Sequence, residues 1–166
     1  MDFLIYGLND LDIMVCYVGN AYLNSPCQDN IWFAEGPEHV LEKTGKVMVM
    51  VRDLYWLKSS GAVWRTMFEE TLRNTNFVPT EADPDVYRIQ ARKTNGEDYY
   101  ELLLLYVDDV LCCLKNSQLI MDKLNLTYDL KKRLVGPLNI YLGIVINKYQ
   151  VGSGKYYWRM SSTQCI

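Results

Sequence analysis

The sequence lacks most of the features that mark specialised classes of protein. It has a single histidine, five prolines and five cysteines among 166 residues, and the cysteines form no Cys-x-x-Cys pair. These residues do not supply the usual ligand set of a zinc site, so we expect no structural zinc. No apolar run approaches the roughly 20 residues that cross a bilayer, and we therefore expect no membrane partner.

Basic residues are also in short supply. There are 17 Lys and Arg residues against 20 Asp and Glu, which gives a formal net charge of -3. This charge excludes nucleic-acid binding by bulk electrostatics alone, because phosphate contacts require clustered Lys and Arg. It leaves open a fragment whose basic parts lie elsewhere. The odd cysteine count, with Cys112 and Cys113 adjacent, is typical of a reduced intracellular protein, cytoplasmic or nuclear, whose cysteines act as small core residues.

What the sequence does have is an ordinary globular composition, 49% hydrophobic and 22% charged. A chain of this length accommodates one domain with a real core. Apolar periodicity predicts a helix from residue 59 or 60, and a second over residues 117–133 with Ser117 as its N-cap. The residues predicted on the apolar face are Val63, Met67, Phe68 and Leu72 in the first helix, and Leu119, Ile120, Leu124 and Tyr128 in the second. The predicted strands cover residues 11–18, 46–52, 86–91, 99–107, 110–114, 140–150 and 155–160. The Asn95-Gly96 pair predicts a hairpin between the third and fourth of these strands, and the last two strands are also predicted to form a hairpin. The pattern predicts an α+β fold with a mainly antiparallel sheet packed on helices.

The most informative segment is Tyr106-Val107-Asp108-Asp109, which lies between the apolar residues 102–105 and 110–111. Two adjacent acids are costly when buried without partners. We therefore expect them at a tight turn between two antiparallel strands. Two interpretations stay open from these residues alone. The pair is either a solvated turn, or a site where the carboxylates bind Mg²⁺, a cation that prefers oxygen ligands.

In this setting the segment resembles the catalytic signature of reverse transcriptases. Five further segments are similar to blocks of the copia-type family of long-terminal-repeat retrotransposons. They are residues 20–24 (NAYLN), 54–59 (LYWLKS) with Trp64-Arg65, 83–87 (DPDVY), 140–144 (IYLGI) and 160–164 (MSSTQ). Each block is weak by itself. Their occurrence in the family's order over nearly the whole chain is specific.

This resemblance implies a fold and a chemistry. It implies a reverse-transcriptase palm domain over residues 1–166, without the fingers, thumb and RNase H regions of the family. The implied activity is RNA-directed DNA polymerisation by two-metal nucleotidyl transfer, with Mg²⁺, or Mn²⁺ in its place. The implied partners are an RNA or DNA primer–template, deoxynucleoside triphosphates and the missing polyprotein domains.

The resemblance also implies roles for individual residues near the acidic pair. Asp108 and Asp109 would be the catalytic metal ligands. Tyr106 and Val107 would pack near the primer terminus.

Two more roles follow from the other blocks. Tyr22 would be the aromatic gate under the incoming sugar, and Lys58 would lie near the template and nucleotide. From residue type alone, Tyr22 is equally a core or interface tyrosine, and Lys58 equally a solvated lysine.

The sequence departs from the family pattern at the first catalytic aspartate. In the family this residue lies four positions before the Ala of the NAYLN-type block, where the present chain has Tyr17. A tyrosine is neutral near pH 7 and replaces a carboxylate ligand poorly. Asp12 is no substitute, because on a strand it points to the opposite face and lies roughly 16 Å away. Trp56 and Ser59 also stand where the family usually has Gly and Gln.

Two functional hypotheses follow. The first is a degenerate copy of the polymerase palm, with weak or no catalysis of its own because of Tyr17. The alternative is a noncatalytic protein that keeps the palm fold and serves as a binding or assembly module.

Overall fold

The computed structural model describes residues 11–33, 47–131, 136–137, 140–142, 144–152 and 155–161. The chain divides into two compact units. The first unit consists of Met1–Gly19 and Leu72–Ile166, and the second of Asn20–Thr71. Each unit is described by itself.

The described residues form two α-helices and eleven short or medium strands. The helices are α1 (Ser60–Arg73) and α2 (Ser117–Thr127). The strands are β1 (Asp12–Tyr17), β2 (Trp32–Phe33), β3 (Met48–Val49), β4 (Val78–Pro79), β5 (Val86–Arg92), β6 (Asp98–Tyr106), β7 (Asp109–Leu114), β8 (Gly136–Pro137), β9 (Ile140–Tyr141), β10 (Ile144–Val151) and β11 (Lys155–Ser161). The mixed α+β class with an antiparallel sheet is thereby confirmed.

The first unit contains a six-stranded antiparallel sheet with the order β4-β5-β6-β7-β1-β8. Strands β5, β6 and β7 form a meander, and β1 pairs with both β7 and β8. A second sheet of the same unit has the order β11-β10-β9. The predicted hairpin at the end of the chain is therefore present as β10 and β11, with β9 as a separate short strand.

Both faces of the six-stranded sheet are apolar near its centre. One face holds a buried cluster formed by Leu11, Ile13, Leu102, Leu111 and Cys113. The alternate residues project from the other face, where Cys16, Val110 and Cys112 are fully inaccessible. Because side chains on both faces of the sheet are buried here, residues 110–114 are all apolar and do not alternate between apolar and polar.

The predicted β5–β6 hairpin is confirmed, with a turn different from the simplest Asn-Gly type. Gly96 donates to the Lys93 carbonyl at 3.0 Å, and Lys93 donates to the Glu97 carbonyl at 2.8 Å. Gly96 has φ +89°. Glycine adopts such a positive φ at little energetic cost because it has no Cβ atom. The connection is therefore a three-residue turn with glycine in the left-handed position.

The second unit contains the pair β2–β3, the residues of α1 up to Thr71, and a 3₁₀ turn over Ala21–Asn24. The predicted strand over residues 46–52 was too long, since only Met48–Val49 is in the sheet. A further isolated bridge joins Pro26 to Arg52. The Asp53 amide donates to the Ser25 carbonyl at 3.0 Å and the Cys27 amide to the Val51 carbonyl at 3.2 Å on either side of this bridge, so the pairing needs no amide hydrogen from Pro26.

Helix α2 corrects the sequence prediction at both ends. Its N-cap is Asn116, whose side chain accepts from the Leu119 amide at 3.2 Å. Ser117 instead donates to the Asp12 carbonyl at 3.0 Å. The helix ends at Thr127 because the chain then turns extended and Leu130 bridges to Val18. Tertiary strand pairing here overrides local helix propensity.

Burial along the two helices follows the predicted periodicity, with one exception. Ile120 and Leu124 of α2 are buried, but Leu119, which was predicted on the same face, is 52% exposed. In α1, Trp64 and Phe68 are buried, with ring centroids 5.3 Å apart. Within the described parts of the chain, neither helix has the length and hydropathy needed to span a membrane.

The cysteines of the described residues are free thiols. Burial, and secondarily the Asp109 charge, raise the pKa of Cys16 to about 12. Burial also raises the pKa of Cys112. These thiols are protonated at neutral pH and unreactive. The prediction that they act as small core residues is confirmed for Cys16, Cys112 and Cys113.

Gly19 lies at a position where the fold leaves no room for a side chain. A Cβ at residue 19 would lie 2.9 Å from the Asp129 carbonyl oxygen, whereas one at Gly61 in α1 would meet nothing closer than 3.8 Å. We expect Gly19→Ala to lower the free energy of unfolding by about 2 kcal/mol, and Gly61→Ala to raise it by about 0.5 kcal/mol through helix propensity. Urea denaturation followed by circular dichroism measures both. Equal effects of the two substitutions would contradict the proposed close approach.

Candidate active site

The acidic pair lies at the end of the β6–β7 hairpin. Tyr106 and Asp109 form the last pair of this ladder, so Val107 and Asp108 are the two turn residues between them. The predicted tight turn is confirmed, although Asp109 is already the first residue of β7. Tyr106 and Val107 are exposed, and both acids are half-buried. The turn therefore presents two carboxylates from adjacent positions on a supported element.

The backbone of this turn is strained. Val107 adopts φ +55°, where a β-branched side chain crowds the backbone. In two-residue hairpins with a positive φ at the first turn position, that position usually holds glycine. Such an outlier costs about 1–3 kcal/mol and persists only when the surroundings hold it. The ladders on either side of β7 are the elements that hold it here.

Strand β1 lies directly beside the acidic turn. Tyr17 pairs with Asp109 in the β1–β7 register, and the Val18 amide donates to the Asp108 carbonyl at 2.8 Å. Directly opposed residues of an antiparallel pair project from the same face, with Cβ atoms about 4.5–5.5 Å apart. Tyr17 and Asp109 therefore project from the same face of the sheet.

Asp12 is confirmed as a poor substitute for a carboxylate at position 17. It is the first residue of β1 and pairs with Leu114, at the far end of β7 from Asp109. The side chain next to Asp109 on β1 is therefore a phenol and not a carboxylate.

The electrostatics around Asp109 disfavour its charge. Burial raises the pKa of Asp109, and the neighbouring Asp108 charge raises it further. Burial, and then the Asp109 charge, also raise the pKa of the Tyr141 phenol. The pKa of the Cys16 thiol, which projects from the opposite face of β1, is also raised. Both neighbours are protonated at neutral pH and give Asp109 no positive charge.

A cation does stand on this face of the sheet, and sequence reasoning missed it. The Lys131 amide donates to the Tyr17 carbonyl at 3.0 Å. Its ammonium nitrogen lies 4.3 Å from the centre of the Tyr17 ring, within the range of a cation–π contact. No motif marks this lysine, because its position depends on the long-range pairing of the chain after α2 with β1.

The residues present do not fit a two-metal centre. Such centres use carboxylates from separate elements to hold ions about 4 Å apart. Here both carboxylates, Asp108 and Asp109, come from one turn, with Tyr17 facing them. In the described part of the chain, no three His, Cys, Asp or Glu side chains are placed to hold a metal ion together.

Tyr22 and Lys58, the remaining predicted site residues, belong to the second unit. Tyr22 lies in the 3₁₀ turn, and its ring contacts that of Tyr55 with centroids 4.7 Å apart. Its hydroxyl lies near Gly61 at the start of α1. Lys58 is exposed. Their roles toward the sugar and the template stay predictions.

The segment around Lys58 carries an unusual residue. Trp56 has φ +79° and is 99% exposed. The family block has glycine at this position, and glycine adopts positive φ without a steric cost. Because the tryptophan is almost fully exposed, little packing offsets its strain. Its neighbour Ser59 donates to the Asp29 carboxylate at 2.6 Å.

Comparison with known proteins decides the family. The family model described as "Reverse transcriptase (RNA-dependent DNA polymerase)" matches residues 8–157, a range that contains every candidate site residue. The chain belongs to this reverse transcriptase family.

A curated relative indicates which kind of reverse transcriptase the chain resembles. This reverse transcriptase chain is 31% identical over 142 residues to the retrovirus-related Pol polyprotein from transposon TNT 1-94 of Nicotiana tabacum. The match covers 82% of this chain and 10% of the polyprotein. No solved structure is significantly similar to the chain. The copia-type resemblance read from the ordered sequence blocks is thereby confirmed.

The strain at Trp56 is testable. We expect Trp56→Gly to raise the free energy of unfolding by about 1 kcal/mol, because strain relief exceeds the entropy cost of glycine. Trp32→Gly is the matched control, since Trp32 is also exposed but lies in β2, where glycine weakens a strand. Urea denaturation followed by far-ultraviolet circular dichroism compares them. Destabilisation by both substitutions would contradict the prediction.

Asp109 makes stability depend on pH. Its pKa is raised in the folded state, so the folded chain holds this proton more tightly than the unfolded chain does. Stability therefore falls as pH rises from the unfolded pKa, about 3.9, through the folded value. We expect Asp109→Asn to melt at a higher temperature than the unmodified chain at pH 7 and to lose this advantage near pH 3.

The control for this pH effect is Glu70→Gln on the exposed side of α1. Substitution of an exposed helix residue should change the melting temperature little at either pH. A stability gain from Asp109→Asn that is the same at both pH values would show that charge is not its cause.

Proposed function

We propose that this chain is the palm region of a copia-type reverse transcriptase and that its polymerase centre is incomplete. The observation that carries the proposal is the register of β1 and β7, which pairs Tyr17 with Asp109. This is the geometry in which two strands would each contribute a carboxylate. Here only one of the two strands does so.

The proposed chemistry is RNA-directed DNA polymerisation, in which a primer 3′-hydroxyl attacks the α-phosphorus of a deoxynucleoside triphosphate and pyrophosphate leaves. In the family, Mg²⁺ or Mn²⁺ supplies the charge stabilisation for the attacking and leaving oxygens. Asp108 and Asp109 are the catalytic carboxylates of this proposal. Because residue 17 is not a third carboxylate, we expect the chain to have weak catalysis or none.

The nucleotide and primer contacts complete the proposal. Tyr106 and Val107 are assigned to the primer terminus, which their exposure beside the acidic turn supports. Tyr22 is assigned to the sugar of the incoming nucleotide and Lys58 to the template side. For Lys58, its exposure is the supporting observation.

The proposed partners are an RNA or DNA primer–template, deoxynucleoside triphosphates and the other domains of a Pol polyprotein. We propose that residues 1–166 are a palm domain and that fingers, thumb and RNase H functions come from those other domains. The relative from transposon TNT 1-94 is a Pol polyprotein of which the matched region is 10%. The formal charge of -3 is consistent with this division, because strong phosphate binding then resides elsewhere.

A noncatalytic binding or assembly module with the same fold is the second candidate. Its support is the exposure of large apolar side chains in the second unit: Trp56 is 99%, Val51 73% and Trp32 61% exposed. Large apolar side chains that are exposed to this extent favour contact with another protein. Under this alternative the acidic pair is a solvated turn and has no affinity for metal ions.

Restoring the missing carboxylate tests the main proposal. We expect Tyr17→Asp to tighten Mg²⁺ binding about ten-fold, because it adds a charged oxygen ligand on the facing strand. It should not by itself give efficient primer extension, since positioning of template and triphosphate supplies much of the rate. Isothermal titration with Mg²⁺ and a primer-extension assay on the full chain measure the two effects.

Tyr17→Asn is the matched control, because it has the size of the aspartate variant without its charge. It should leave Mg²⁺ binding as weak as in the unmodified chain. Primer extension by the unmodified chain that Asp108→Asn abolishes would overturn the incomplete-centre proposal. Equal Mg²⁺ affinity of the aspartate and asparagine variants would favour the noncatalytic alternative.

A further inference from the structure

We infer that Trp56 is a stacking platform for an unpaired base of an RNA or DNA strand, with Lys58 and Arg52 as contacts to the phosphates of that strand. The inference rests on the proposed function, since it takes nucleic acid as the substrate of this chain. It deepens that function at a residue to which the proposed function assigns no role.

The turn that carries Trp56 is anchored at its base. The Ser60 hydroxyl donates to the Leu54 carbonyl at 2.8 Å, which closes the segment from residue 54 to residue 60 on itself. The Ser59 hydroxyl donates to the Asp29 carboxylate at 2.6 Å. Because these hydrogen bonds already hold the turn, less conformational entropy is lost when its tip binds a ligand.

Trp56 stands on this turn without packing of its own. Its side chain is 99% exposed, and its backbone has φ +79°, a conformation that is strained for a residue with a Cβ atom. Strained residues cluster at active sites and ligand contacts. An indole ring whose faces are open to solvent is suited to stacking on the planar ring of a base.

Two further aromatic side chains lie beside this turn. Tyr55 precedes the tryptophan and is 40% exposed, and its ring contacts that of Tyr22 with centroids 4.7 Å apart. Tyr22 is the residue proposed to contact the sugar of the incoming nucleotide. The ring contact and the peptide bond from Tyr55 to Trp56 therefore put the tryptophan one residue away from the neighbour of that position.

The charges of the segment favour a polyanion. Residues 52–65 contain three basic residues and one acid, and the acid, Asp53, is fully buried. Arg52 and Lys58 are exposed. The Arg52 guanidinium donates to the Asn24 carbonyl at 2.9 Å, which holds it at the 3₁₀ turn that also carries Tyr22.

Lys58 is close enough to Trp56 to serve the same strand. The two residues are separated by one position, so their Cα atoms are at most about 7 Å apart. Asp29 brings one exposed acid to the segment through Ser59, and the three basic residues outnumber it. On a chain with a formal net charge of -3, this local excess of basic residues matches a phosphate backbone.

The competing interpretations are that the Trp56 ring contacts another protein, or that it is a surface residue without a ligand. A base requires an aromatic face for stacking. A protein contact requires apolar area, which an aliphatic side chain also supplies.

Fluorescence anisotropy of labelled oligouridine and oligothymidine, titrated with the full chain at low salt, separates these interpretations. We expect Trp56→Leu, which keeps an apolar side chain and removes the aromatic face, to weaken binding of both strands about ten-fold. Trp56→Phe should weaken binding less, because a smaller ring still stacks. Trp32→Leu is the matched control, since Trp32 is another exposed tryptophan of the second unit, and it should leave both affinities unchanged.

A second variant shows that the loss of binding does not come from unfolding. Trp56→Gly, which we expect to raise the free energy of unfolding, should weaken oligonucleotide binding as much as Trp56→Leu does. Stacking also changes tryptophan emission. Oligouridine should quench the emission of the unmodified chain and of Trp32→Leu, and should change that of Trp56→Leu little.

The phosphate contact of Lys58 is tested by salt dependence. Lys58→Gln should reduce the slope of log affinity against log salt concentration by about 0.7, the value for one contact to a single strand. Lys123→Gln, which removes an exposed lysine of α2, should leave the slope unchanged. A blunt duplex should bind more weakly than the single strands, and Trp56→Leu should not affect its binding, because its bases are already stacked.

Three results would overturn the inference. The first is equal affinity of Trp56→Leu and Trp32→Leu for the single strands, and the second is the absence of binding by the unmodified chain at low salt. The third is self-association of the unmodified chain that Trp56→Leu abolishes without a change in oligonucleotide affinity, which would assign the ring to a protein contact.

The two proposals fail in different ways. Primer extension by the unmodified chain would overturn the incomplete centre, whatever the binding measurements show. Unchanged oligonucleotide affinity in Trp56→Leu would overturn the role of the tryptophan and leave the incomplete centre standing, since the missing carboxylate at position 17 is tested by metal binding and catalysis.

Discussion

The antiparallel pairing of β1 with β7 is the interaction on which the rest of the site depends. It sets Tyr17 opposite Asp109 and buries Cys16 opposite Val110 on the other face. It also leaves the outer edge of β1 available to Leu130 and β8. A slip of one residue would exchange the two faces, which would bury the tyrosine and expose the thiol. Core packing therefore determines which side chains lie beside the acidic turn. The two acids themselves do not determine it.

The two carboxylates of the acidic turn lower the stability of the fold, and a bound metal ion would reduce this cost. Burial disfavours the charged form of Asp109, and repulsion from the adjacent Asp108 carboxylate adds to this cost. A third carboxylate on β1 would increase this repulsion in the absence of a metal ion. Tyr17 removes that cost and offers its ring to a lysine. Under the proposed function, the residue that weakens catalysis is thus also the one that makes the apo fold easier to stabilise, which is the usual relation between active-site charge and stability.

The sequence predicted those features that depend on local pattern. The apolar run of residues 110–114 predicts a strand, and this strand is present as β7. The Asn95-Gly96 pair predicts a hairpin between strands that are close in the sequence, and β5 and β6 form it. The position of Tyr17 followed from counting residues within a family block. The end of α2 could not be predicted in this way, because it depends on Leu130 bridging to Val18, more than a hundred positions earlier in the chain. Lys131 was missed for the same reason.

Two residues in the left-handed region show how context decides whether strain persists. Val107, at φ +55°, lies in a turn whose β7 strand is paired on both sides, with β6 and with β1. Those ladder hydrogen bonds hold the turn, so its strain is offset by the structure that presents Asp108. Trp56, at φ +79°, is almost fully exposed, and its side chain gains little from packing. The first kind of strain orients functional groups, whereas the second lowers the stability of the free chain. A tryptophan therefore persists at position 56 only where the segment has stability to spare or where its exposed ring binds something outside the chain. If the exposed Trp56 ring binds another protein instead of a nucleic-acid base, it would be part of the binding surface that the noncatalytic alternative requires.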